Sequence, residues 1–164
     1  MTEDIRNDYE VSSEGAVRHW AIPYARLTDT TPTVSLPAEV TSLLPGTQLT
    51  GTILSVDAAA SMAVIDFTCS MVYKHEVRNV LTYNAGVAEL TWGAINVGDP
   101  VYYDHSVSMP AGVYLSTSPI GTDTVVNTLF GHVVPWSDAD SANYAKGGIT
   151  ASTQECAIMQ KGAG

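Results

Sequence analysis

Basic residues are scarce in this chain of 164 residues: seven Lys and Arg stand against seventeen Asp and Glu, for a net charge of −10. A field of that sign repels phosphate backbones and gives no hold on an anionic bilayer, so direct binding to nucleic acid or to a membrane is not expected. Long apolar runs are missing as well; none approaches the roughly 20 residues of a membrane-spanning helix. The acidic N-terminus lacks the basic and apolar regions of a signal peptide, so a soluble chain without an export signal is expected. Cysteine is reduced to Cys69 and Cys156, with no Cys-x-x-Cys and no His-rich spacing that would suit zinc. Both lie in apolar, strand-like surroundings, "DFTCSMV" and "QECAIMQ". Buried free thiols are the first expectation, with a disulfide or a nucleophile as the alternatives. No glycine-rich phosphate loop occurs, since "KGG" at 146–148 lacks the Walker spacing.

What remains is a folding sequence, 45% apolar and only 15% charged, of a length that suits one domain with a real core. It reads as an arm and a body. Residues 1–48 hold five acids in the first fourteen positions and prolines at 23, 32, 37 and 45, which suits extended segments rather than long helices. "LPAEVTSLLPG" is read as a helical turn or two, started near Pro37 and stopped by Pro45-Gly46. Trp20, Ile22, Tyr24 and Leu27 are too apolar for a solvated tail, so the arm is expected to pack on its own body or on a neighbouring subunit.

The body, residues 49–164, reads as strands. In "MAVIDFTCSMVYKHEV" the odd positions Ala63 to Tyr73 are apolar and the others mostly polar, a period of two over about eleven residues that predicts one long half-buried strand. "TQLTGTILSV" is expected to pair with it across "DAAAS". Further strands are expected in "VRNVLTY", "VAELTW", "DPVYYD", "GVYLSTS", "NTLFGHVV" and "CAIMQ", separated by turn signals such as "NVGDP", "MPAG" and "SPIGTD". Many short strands with such turns indicate an all-β fold, a small β-barrel or sandwich, here with an extended N-terminal arm.

Candidate chemistry is thin. Asp99 and Asp104 form a tempting carboxylate pair, but an interval of five along a strand places side chains on opposite faces. Asp99, between Gly98 and Pro100, has the composition of a turn, where an aspartate bonds nearby amides. His19, His75, His105 and His132 are scattered, and no Gly-x-Ser-x-Gly elbow is present. "DADSAN" from Asp138 to Asn143 starts like a calcium loop but lacks the glycine and the closing glutamate. Trp20, Trp92 and Trp136 admit a sugar platform, though large aromatics at strand ends more often serve core or subunit contacts. No catalytic residue, metal or cofactor is expected.

In its order of short elements the body resembles the capsid decoration, or cement, proteins of tailed bacteriophages. "GAINVGDPVYYD" is similar to that family's apolar-x-Val-Gly-Asp-x-Val-Tyr-x-Asp corner; "GVYLSTSP", the glycine-containing "NTLFGHVV" and a closing "CAIMQ" follow in the family's order. The likeness spans about residues 80–160, and the chain departs from compact members by its longer front. The resemblance implies a non-enzymatic virion protein, made in the host cytoplasm, that binds the major capsid protein on the outer surface of the expanded head as a homotrimer and resists the pressure of packaged DNA. It nominates Val97, Gly98, Asp99, Pro100 and Asp104 as a structural corner. Arg6, Trp20, Tyr24 and Arg26 of the arm are the expected interface residues. Rival readings are another β-barrel virion component, of the head completion or tail, and a carbohydrate-binding module.

Overall fold

The computed structural model describes residues 10–12, 17–41, 48–84, 87–90, 95–106, 109–121, 126–135, 145–146 and 153–162, with 10–12, 81–84, 87–90 and 145–146 described by their backbone. The fold is all-β, with one 3-10 turn among the described residues. The chain divides into two compact units, residues 1–71 with 160–164, and residues 72–159. The second unit is thus an insertion in the first. This corrects the expected split into an arm over 1–48 and a body over 49–164.

The first unit contains β1 (Glu10–Ser12), β2 (His19–Pro23), the 3-10 turn Tyr24–Arg26, β3 (Pro37–Val40), β4 (Leu49–Asp57) and β5 (Met62–Asp66). They form one antiparallel sheet in the order β1-β2-β5-β4-β3. Its far edge returns to the segment just after β2: Leu27 bridges Val40, the Thr28 N–H donates to the Glu39 carbonyl at 2.9 Å, and the Thr41 N–H donates to the Arg26 carbonyl at 2.9 Å. The sheet therefore closes on itself as a small barrel, which removes most of its open edges. A bulge between Ile53 and Ser55 supplies local bending in β4. Trp20, Ile65 and Ile53 stand in one row across β2, β5 and β4, and with Ile22, Leu27, Val40 and Phe67 they fill the interior.

Within the stretch read as an arm, His19–Pro23, Leu27 and Pro37–Val40 are therefore walls of this barrel. Period two places Trp20 and Ile22 inside, and the prolines sit where they cost little: Pro23 ends β2 and Pro37 begins β3. The helical turn expected from Pro37 is also corrected. Pro37–Val40 is a strand with all four residues buried, and pairing with Thr52 to Leu49 of β4 overrides the local helical signal. Residues 42–47 lie outside the described residues.

The second unit holds β6 (Val72–Arg78), the hairpin β7 (Val80–Asn84) with β8 (Val87–Leu90), β9 (Pro100–Tyr103), β10 (Leu115–Ser116), β11 (Thr128–Val133), β12 (Ala145–Lys146) and most of β13 (Thr153–Gln160). Strand order is β11-β9-β10-β6-β13-β12, and β11 also pairs with β13, with the Val134 N–H on the Ala157 carbonyl at 2.9 Å. The ring β11-β9-β10-β6-β13 is thereby closed. Pairing is antiparallel except between β10 and β6. Every strand of the ring sends apolar side chains inward: Val77, Val101 and Tyr103, Leu115, Phe130 and Val133, Cys156 and Ile158.

The expected hairpin of β4 and β5 is present, but the long strand over 63–73 is two strands. It breaks because Asp66 Oδ1 accepts the Thr68 N–H at 2.8 Å and Ser70 adopts a left-handed φ of 66°. At the break the apolar face is interrupted, and Cys69 and Met71 are exposed.

Candidate functional site

The strongest concentration of polar side chains named from sequence lies around β9, whose two ends are flanked by Asp99 and Asp104. At the first end Gly98 turns with φ 95°, a conformation open to glycine at little cost. Asp99 Oδ2 accepts the Asn96 N–H at 2.8 Å, and the Asp99 N–H donates to the Asn96 carbonyl at 3.1 Å. The corner is pinned to the end of β11, since the Gly98 N–H donates to the Val133 carbonyl at 2.8 Å and the Val133 N–H to the Asp99 carbonyl at 2.9 Å. Val97 and Pro100 are exposed on this corner.

At the other end Asp104 is 5% exposed and its Oδ1 accepts the Ser106 N–H at 2.8 Å. Asp99 and Asp104 flank opposite ends of β9, and five steps of extended backbone span about 16 Å, more than the roughly 5–9.5 Å between the carboxyl groups of glycosidase pairs. Each carboxylate braces its own turn, and the strand between keeps them apart.

Asp104 joins a second network. Asn127 Oδ1 accepts the His105 N–H at 3.0 Å, Asn127 Nδ2 donates to the Ser118 carbonyl at 3.0 Å, and the Asn127 N–H donates to the Pro119 carbonyl at 2.9 Å. Ser118 Oγ donates to the Ile120 carbonyl at 2.6 Å. Gly121 closes over this cluster: a Cβ there would lie 2.9 Å from Ser106 Oγ, 3.0 Å from Asn127 Oδ1 and 3.1 Å from Asp104 Oδ1. The arrangement is a buried clamp that ties residues 118–121 to Asn127 and to the end of β9.

Inside the second barrel His75 stands opposite Cys156 across β6 and β13. His75 lies between Tyr73, at 6.2 Å between ring centres, and Phe130, at 5.4 Å edge-on. Burial lowers its imidazole to about 4, and burial together with Glu76, Asp99 and Glu155 pushes the Cys156 thiol up to about 12. A nucleophilic Cys–His pair needs thiolate and imidazolium; this environment disfavours both charges. Both cysteines are free, Cys156 buried as expected, but Cys69 exposed because the strand ends before it.

In the first barrel Asp66, fully buried, stands 3.5 Å from His19 Nε2. Gln160, 1% exposed, donates from Nε2 to the carbonyls of Asp66 at 2.9 Å and Thr68 at 3.0 Å, while its Oε1 accepts from Thr52 Oγ1 at 3.1 Å. Among the described residues no group of three or more His, Cys, Asp and Glu is gathered as a metal site.

Of the expected interface residues, Trp20, Tyr24 and Arg26 are described, and they do not form one exposed surface. Trp20 is fully buried, its ring 4.9 Å from Phe67, so its place on an interface is corrected: β2 turns it inward. Its Nε1 is the one buried side-chain polar atom without a partner among the described residues. Tyr24 is half-buried against the first core, and Arg26 is half-buried in the 3-10 turn. Arg6, Trp92, Trp136 and the Asp138–Asn143 loop lie outside the described residues. With Trp20 inside, the sugar platform loses one of its three tryptophans. Sequence reasoning passed over Gln160, although Gln154, Cys156, Ile158 and Gln160 share the inward parity of β13, all buried.

Comparison of the chain with known protein families, curated proteins and solved structures yields no match.

Proposed function

We propose that the chain is a capsid decoration protein of a tailed bacteriophage, a non-enzymatic homotrimer on the outer surface of the expanded head, bound to the major capsid protein. One observation carries the reading. The segments that resemble the decoration family, "GAINVGDPVYYD", "GVYLSTSP", "NTLFGHVV" and "CAIMQ", supply β9, β10, β11 and part of β13, four of the five strands of one closed barrel. The likeness thus belongs to a single physical body rather than to scattered turns. Its Val97–Asp104 corner is braced by backbone hydrogen bonds and by the Asp99 carboxylate, which suits a part that must stay rigid under pressure. The acidic charge of −10 keeps the chain off the packaged DNA and favours a protein surface.

The test adds purified protein to expanded heads, prepared from the encoding phage with this gene deleted. Binding at a fixed stoichiometry, cross-linking of bound copies into trimers, and a higher temperature of head rupture are the expected results. Heads that sediment without the protein at saturating concentration would overturn the proposal.

A further inference from the structure

We draw no further inference here: the strongest candidate, the buried polar cluster of Asp104, Ser106, Ser118 and Asn127 that closes round Gly121 at the end of β9 in the second barrel, belongs to the clamp already described, and its hydrogen bonds run within the chain and point to no ligand.

Discussion

His75 and Cys156 face each other across the β6–β13 ladder, both buried, and the barrel holds both uncharged. The pair has the residue types of a catalytic dyad in surroundings that oppose its ionisation. What it does contribute is a pH dependence. The imidazole is lowered from 6.5 to about 4, so the folded barrel resists a proton that the unfolded chain accepts. Its stabilising contribution is whole above pH 6.5 and is lost as pH falls through about 4, a change of about 3 kcal/mol for a shift of this size. Urea unfolding of the second unit between pH 7.5 and 4 should trace that loss, and His75→Phe should flatten it. An identical slope in the variant would refute the assignment.

The two thiols should behave oppositely. Cys69 is exposed, whereas Cys156 is buried with its thiol pushed up from 9.0 to about 12, so the folded state holds it protonated. A disulfide-exchange reagent at pH 8 should therefore label one thiol per native chain, identified as Cys69 by peptide mapping, and both only in denaturant. Rapid native labelling of Cys156 would show that the barrel opens readily.

The body strands were legible because burial follows parity, as Ala63 and Ile65, Cys156 and Ile158 show; Trp20 and Ile22 obey it too, but were read as part of an arm. The Val97–Asp104 corner was legible because glycine and aspartate leave a local signature. Closure was not. Nothing local to Leu27 announces a bridge to Val40, nor does anything near Val134 announce a bond to Ala157, since pairing is non-local. The same blindness hid the break after Asp66. A turn braced by an aspartate looks like one more polar position in an alternating strand, as Asp66 and Thr68 did. It also made an arm of residues whose proline content suggested one, when Pro23 and Pro37 merely stand at strand ends.

On the outward face of the same ladder Glu76 is opposed by Glu155. Burial and the charge of Glu155 raise the Glu76 carboxyl above its usual 4.5. A raised folded value means that the relief is present below pH 4.5 and is lost as pH rises through the folded value, leaving like charges in direct opposition at neutral pH. Glu76→Gln should thus stabilise the second unit at pH 7 by a few tenths of a kcal/mol, the scale of exposed cross-strand pairs. The gain should fade as pH drops through the carboxylate range. Equal stabilisation at pH 3.5 and 7 would mean that the effect is not electrostatic.

Gln160 is the side chain on which the first barrel holds the returning chain. Its amide reaches the Asp66 and Thr68 carbonyls and the Thr52 hydroxyl, all buried, just after the chain re-enters the first unit. Gln160→Leu keeps comparable volume but leaves two carbonyls and a hydroxyl without these bonds, each costing about 1–3 kcal/mol when buried. The loss is expected at about 2–4 kcal/mol, because partial relaxation recovers some of it. Trp20 lies inside the first core and Trp92 and Trp136 lie in the inserted segment, so fluorescence can separate the units. In a Trp92→Phe, Trp136→Phe background the Trp20 transition should move to lower urea with Gln160→Leu. The Glu76→Gln increment in the second unit should stay as it was. Should the Trp20 transition not move, the three hydrogen bonds would contribute no net stability, and the return strand would be held by apolar packing alone.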